Sequence, residues 1–105
     1  MSKTDKLDLA PFDASDYLDN EEIIAEYLAA ALEDPDPDAF LMAVCDVAKA
    51  RGIAIVAAKA GVGRESLYKT LRPGAKPRFD TVRRLLAALD VKLDVSSLRK
   101  HVAEQ

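Results

Sequence analysis

The sequence contains very little cysteine, histidine or tryptophan. Its 105 residues include one cysteine, Cys45, one histidine, His101, and no tryptophan. A single cysteine excludes an internal disulfide and fits a reducing compartment. The sequence has no Cys and His set with zinc-ligand spacing, no glycine-rich phosphate loop and no Ser–His–Asp arrangement. We therefore expect a protein that is not an enzyme and that uses no cofactor or metal ion.

Long hydrophobic runs are also missing. No apolar stretch approaches the roughly 18 residues that a membrane-spanning helix needs. Residues 2–6 are polar, and the apolar core of a secretory signal does not follow them. These features predict a cytoplasmic protein with no membrane partner.

Proline and glycine are sparse, with five and four residues, whereas half of all residues are hydrophobic. Alanine, leucine, lysine, glutamate and aspartate dominate, which is typical of an all-helical protein. The length corresponds to one small domain. We therefore expect the all-α class.

The two halves of the chain carry opposite charge, although the net charge is only −3. Residues 1–50 hold three Lys or Arg against thirteen Asp or Glu, whereas residues 51–105 hold twelve against five. A basic half favours a polyanionic partner such as DNA. The acidic half has two interpretations: it serves a different, basic partner, or it weakens non-specific adhesion to DNA.

Two helices are predicted in the first half. The first begins after Asp19, which forms a capping-box pattern with Glu22, and two Asp-Pro dipeptides end it. The second covers about 37–51, with Asp36 as its cap and Gly52 at its end. Apolar residues recur at helical spacing in both: Ile23, Ile24, Tyr27, Leu28, Ala31 and Leu32, then Phe40, Leu41, Val44, Cys45, Val47 and Ala48.

Three more helices and a strand are predicted in the second half. Two short helices, 53–60 and 64–71, flank a turn that contains two glycines. The fifth helix begins near Asp80, its predicted cap, and ends by Asp90. The alternation of residues 91–95 predicts a short C-terminal strand, which would pair with a second chain or lie against the core. The predicted organisation is an N-terminal arm at 1–18, a helical domain at 19–98 and a polar tail at 99–105.

The stretch 53–71 carries the functional signal. Ala57 is small where its two helices would cross, and Gly61 relieves the strain of a sharp turn. Leu67 and Leu71, four residues apart, bury one face of the second helix. The opposite face is polar and free to enter a DNA major groove. Its residues are Arg64, Glu65, Ser66, Lys69 and Thr70.

This pattern resembles the lambda-repressor-like, or XRE, helix-turn-helix. More narrowly, residues 63–71 and 76–82 are similar to the HigA-like addiction-module antidote family, which has R-E-S-L-Y-K-x-L … P-x-F-x-T in the same place. Residues 12–19 and 25–28 also resemble that family, so the similarity covers about 12–96.

The resemblance implies a five-helix lambda-repressor-like domain in a bacterial cytoplasm. It implies the antitoxin of a type II toxin–antitoxin module, which binds double-stranded operator DNA as a homodimer and represses its own promoter. The same protein would neutralise a RelE/HigB-like toxin encoded beside it. Two alternatives remain open: a stand-alone XRE-type transcriptional regulator, and a toxin-binding module with little DNA affinity.

The resemblance also implies roles for individual residues. The base-edge candidates are Arg64, Glu65, Lys69 and Ser66, and the phosphate candidates are Thr70, Arg72, Lys76 and Arg78. A bidentate arginine–guanine contact is worth roughly 1–3 kcal/mol of discrimination. Phosphate contacts give affinity that falls with salt but little sequence preference. The alternative for each charged residue is an ordinary solvated surface charge.

Two positions depart from the usual helix-turn-helix pattern. DNA readers of this fold often carry a polar pair, Thr-Gln or Ser-Gln, at the start of the first helix, where this chain has Ala54 and Ile55. Gly63 stands where a capping Ser or Thr is usual, at a cost of a few tenths of a kcal/mol. We expect Ile55 to be packed or to face a partner. Elsewhere we expect Tyr68 to pack in the core or at its edge rather than to stack on a base, and Cys45 to be a buried structural thiol.

Overall fold

A computed structural model describes residues 20–98, and within that range the chain forms five α-helices. They are α1 (Glu21–Leu32), α2 (Pro37–Arg51), α3 (Ile53–Ala60), α4 (Arg64–Leu71) and α5 (Phe79–Ala88). The all-α class is therefore confirmed. The predicted N-terminal arm and polar tail lie outside the described residues. Among residues 20–98, no helix is both long enough and apolar enough to cross a bilayer.

Side chains cap the first two helices. The Asn20 Oδ1 accepts a hydrogen bond of 2.9 Å from the backbone N–H of Ile23, so the cap is Asn20 and the prediction of Asp19 is wrong by one residue. Asparagine and aspartate cap equally well, so the sequence does not separate adjacent candidates. Asp36 caps α2 through the N–H of Asp38 at 2.9 Å, as predicted.

Helices α1 and α2 run antiparallel, with the start of one beside the end of the other. Glu21 Oε2 lies 3.9 Å from Arg51 Nη2. Midway along the pair, the Tyr27 hydroxyl donates a hydrogen bond of 2.7 Å to Asp46 Oδ2. The short Asp-Pro link between the helices fits this hairpin, because proline cannot continue a helix.

All five helices contribute to one hydrophobic core. The largest side chains with almost no exposed surface are Ile24, Val47, Val56, Leu67, Leu85 and Leu89. Every buried residue in the described range is apolar. Cys45 is only half-buried and packs against this core, so the prediction of a buried thiol is wrong. Leu32, expected on the inner face of α1, is exposed.

The start of α5 differs from its prediction. The N-cap position is Arg78, which makes no side-chain capping bond, and Asp80 lies in the first turn. Asp80 is therefore not the cap. A carboxylate in the first turn still stabilises the helix by interacting with its dipole.

The predicted strand at 91–95 does not form. Asp90 takes the left-handed conformation with φ 65°, and the Val91 N–H donates to the Leu86 carbonyl at 3.0 Å. The Asp90 N–H also donates to the Ala87 carbonyl at 3.0 Å. Together the two bonds close α5 in a Schellman motif and turn the chain back over the helix end. Val91 packs on the core, while residues 92–98 have no regular structure. With no partner strand among residues 20–98, alternation alone cannot satisfy a strand's backbone groups.

Candidate nucleic-acid interface

A three-residue turn joins α3 to α4. Gly61 takes the left-handed conformation with φ 76° and ends α3, as its position predicted. The Val62 N–H donates to the Ala57 carbonyl at 2.9 Å, and the Gly61 N–H donates to the Ala58 carbonyl at 3.2 Å. These two bonds form a Schellman motif. The turn is thus fixed by backbone geometry that favours glycine.

Helix α4 has one apolar face and one polar face. Leu67 and Leu71 are buried in the core, as predicted, and anchor the helix. The base-edge candidates of the opposite face are all exposed: Arg64, Glu65, Ser66 and Lys69. The helix therefore presents a charged surface while leucines hold it from inside.

Thr70 is less accessible to a DNA phosphate than its neighbours on α4 are. It is partly buried, and its hydroxyl donates a hydrogen bond of 2.8 Å to the carbonyl of Ser66. The hydroxyl oxygen can still accept a hydrogen bond. The Ser66 side chain is exposed one turn earlier. Thr70 is thus positioned at the edge of the polar face.

The other three phosphate candidates lie on the segment between α4 and α5. Arg72, Lys76 and Arg78 are all exposed. The Gly74 N–H in the same segment donates to Asp38 Oδ1 at 3.1 Å, which ties the segment to the start of α2. Arg78 Nε lies 3.4 Å from Asp80 Oδ1, so a phosphate would compete with that carboxylate for the guanidinium.

A groove of about 490 Å³ separates α2 from α4, and we call it the α2–α4 groove. Its apolar lining consists of Met42, Cys45, Tyr68, Leu71 and Pro73, and its charged lining consists of Asp46, Lys49, Lys69 and Arg72. Tyr68 is 42% exposed and lines this groove, so it is not a core residue. The structure therefore brings the predicted Lys69 and Arg72 together with Lys49.

Lys49 carried no signal in the sequence. It lies on α2, far along the chain from α4, and only the packing of the two helices places both at one groove. Lys76 is separated from this group, because it lines a different groove with residues from the start of α2. Among residues 20–98, no cluster of three or more His, Cys, Asp or Glu is arranged to hold a metal ion.

The start of α3 is apolar and exposed. Ile55 is 61% exposed and Ala54 is also exposed. Ile55 is thus not packed, which leaves the expectation that it faces a partner. Gly63 precedes α4 without a side-chain capping bond, as its lack of a side chain predicts.

Comparison with known proteins gives two matches and one absence. A family described as "Probable addiction module antidote protein" matches residues 8–97. An uncharacterized protein of Haemophilus influenzae (strain KW20 / Rd) is 36% identical over 91 residues, which cover 87% of this chain and 94% of that protein. No solved structure matches the chain.

The family match includes α1 to α5 and extends to both sides of them. It contains the α3–α4 pair, the segment with Arg72, Lys76 and Arg78, and both sides of the α2–α4 groove. The chain belongs to the family of probable addiction module antidote proteins.

Proposed function

We propose that this chain is the antitoxin of a type II toxin–antitoxin module. It binds double-stranded operator DNA as a homodimer, represses its own promoter and neutralises a RelE/HigB-like toxin encoded beside it. Membership of the antidote family supports the antitoxin role. The α3–α4 pair supports the DNA-binding role and acts as a helix-turn-helix.

One observation carries the DNA-binding proposal. Helix α4 is anchored by the buried Leu67 and Leu71 while Arg64 and Lys69 remain exposed on it. A short helix held in this way can enter the major groove, where its first residues reach base edges. Arg64 at the first position suits guanine, and Glu65 can accept from the cytosine amino group.

The phosphate candidates support the same binding mode. Arg72, Lys76 and Arg78 follow α4 directly and are exposed. Cations beside a recognition helix fix its register on the duplex through phosphate oxygens. Their contribution falls as salt rises, because binding releases counterions from DNA.

Gel-shift titration with the DNA upstream of the gene tests this proposal. The double variant Arg64→Ala/Lys69→Ala should weaken binding about tenfold or more, because each contact contributes roughly 1–3 kcal/mol. The matched control is Lys59→Ala/Lys92→Ala, which removes the same charge from α3 and the chain after α5. Unchanged binding by the first variant would remove the assignment of α4 as the recognition helix.

The acidic first half supports docking of a basic toxin. Helix α1 exposes Glu21, Glu22 and Glu26, and no lysine or arginine lies on it. Complementary charge speeds encounter and orients the partners. Co-expression with the neighbouring small, basic open reading frame tests this role. Rescue of growth and co-purification are expected, and failure of both would exclude a toxin partner from that gene.

The exposed start of α3 favours a second candidate function, a toxin-binding module with little DNA affinity. An exposed Ile55 is suited to an apolar contact with a protein rather than to a phosphate. Gel-shift and co-purification assays on the same preparations separate the two. Toxin binding without operator binding would select the second function.

A further inference from the structure

The α2–α4 groove combines an apolar floor with an excess of positive charge. Lys49, Lys69 and Arg72 line it, and no carboxylate of residues 20–98 forms an ion pair with any of them. The one acidic residue of the lining, Asp46, already accepts the hydrogen bond from Tyr27. The groove therefore suits an occupant that is both apolar and acidic.

A second apolar groove lies between α1, α5 and the chain after α5, and its charge differs. Its charged lining residues are Lys92 and Asp94, which balance each other. The adjoining cleft is lined by Glu21, Glu22 and Asp90 beside Lys92. An acidic segment would be repelled there, so charge selects the α2–α4 groove.

The N-terminal arm has the composition that the α2–α4 groove requires. Residues 7–18 contain three aspartates and no lysine or arginine. Apolar side chains alternate with these aspartates: Leu7, Leu9, Phe12, Tyr17 and Leu18. Each apolar residue that enters the floor would bring a carboxylate towards the cationic lining.

The N-terminal arm is also long enough to reach this groove. It joins α1 at Asn20, and Glu21 lies beside Arg51 at the end of α2. From Arg51 to Met42 along α2 is about 14 Å at the helical rise. An extended chain covers that distance with about five residues, and the N-terminal arm has eighteen.

We propose that the N-terminal arm of the same chain occupies the α2–α4 groove, with its apolar residues on the floor and its aspartates beside Lys49, Lys69 and Arg72. The arm then covers two of the cations assigned to DNA, so arm and operator compete. That competition rests on the proposed DNA binding, whereas occupancy of the groove does not. A partner that captures the arm would release both cations for DNA.

Thiol labelling of Cys45 tests the occupancy without DNA. Cys45 lines the α2–α4 groove and is the only cysteine of the chain, so its reaction rate with N-ethylmaleimide reports how often the groove is open. The variant Asp8→Lys/Asp13→Lys/Asp16→Lys repels the arm from the cations. Its labelling should be about fivefold faster than that of the wild-type chain, because a covered site reacts only from its open form.

The matched control reverses three exposed acids that do not line the groove: Glu26→Lys/Glu33→Lys/Asp94→Lys. It changes the net charge equally and should label at the wild-type rate. Equal rates for the two variants would overturn the proposal. Wild-type labelling that slows as protein concentration rises would also overturn it, by assigning the groove to the arm of a second copy. Because no DNA is present, neither result bears on operator binding.

Discussion

The Tyr27 hydroxyl donates a 2.7 Å hydrogen bond to Asp46 Oδ2 and thereby links α1 to α2 across nineteen residues of sequence. It is a bond to a charged acceptor at a partly buried position, which makes it stronger than a neutral surface bond. Tyr27→Phe should lower the free energy of unfolding by about 1 kcal/mol. Urea unfolding followed by circular dichroism measures this. The control is Tyr68→Phe, and equal stability of the two variants would contradict the assignment.

The same pair predicts a pH dependence at alkaline pH. Burial, together with the hydrogen bond and the negative charge of Asp46, raises the pKa of Tyr27 from 10.0 to about 12. The folded chain therefore keeps this proton where the unfolded chain releases it. The contribution to stability is complete below pH 10 and is lost as pH rises to about 12. The difference in unfolding free energy between wild-type and Tyr27→Phe should shrink across that window, and a constant difference would contradict the raised pKa.

The turn before α4 depends on the left-handed conformation of Gly61. Gly61→Ala should destabilise the fold by about 1 kcal/mol, because a Cβ strains a backbone with φ 76°. Arg84 Nη1, 4.0 Å from such a Cβ, leaves space, so the cost is conformational. The control is Gly63→Ser, which adds a capping hydroxyl and should stabilise α4 by a few tenths of a kcal/mol. Thermal melts of both variants measure these effects, and an unaltered melt of Gly61→Ala would refute the strained turn.

Leu67 anchors α4 in the core and has 0% exposed surface. Leu67→Ala removes packing that the surrounding side chains cannot fully replace, so the expected loss is about 2–5 kcal/mol of unfolding free energy. Leu98→Ala is the matched control, because Leu98 is 97% exposed and its truncation should stay within about 0.5 kcal/mol. If the two variants unfold at similar urea concentrations, α4 does not pack as described.

A substitution at Ile55 distinguishes whether the start of α3 contacts DNA or a protein partner. If α3 and α4 act as the proposed helix-turn-helix, Ile55→Gln adds an amide that can brace a phosphate. The 61% exposure of Ile55 makes the change harmless to the core. We expect operator binding to tighten a few-fold, as measured by gel shift. Weaker toxin binding with unchanged operator affinity would instead place Ile55 in a protein interface.

Helix positions could be predicted where sequence signals are strong and local. Prolines, capping aspartates and the glycines at 52 and 61 are such signals, and they fixed α2, α3 and α4 to the residue. The cap of α1 was predicted one residue too early, at Asp19, because the adjacent Asn20 is an equally good capping residue and is the one that caps the helix. Asp80 was wrongly predicted to cap α5, because an acidic residue is also favourable inside the first turn of a helix, where Asp80 lies.

Features that depend on distant packing could not be predicted. The alternation at 91–95 looks like a strand, but the left-handed turn at Asp90 and the lack of a partner strand in the described chain prevent one. The exposed polar residues of α4 followed from the positions of Leu67 and Leu71 on the opposite face. The α2–α4 groove could not be predicted, because Lys49 and Lys69 line the same groove only through the packing of α2 against α4.

The ratio of operator affinity to scrambled-DNA affinity distinguishes a recognition helix from a merely cationic surface. Arg64→Ala/Lys69→Ala should lower this ratio about tenfold or more, because base-edge contacts carry the discrimination. Arg72→Ala/Lys76→Ala should weaken binding to both DNAs alike and reduce the slope of log affinity against log salt by about two. A ratio unchanged by Arg64→Ala/Lys69→Ala would contradict the claim that α4 reads DNA.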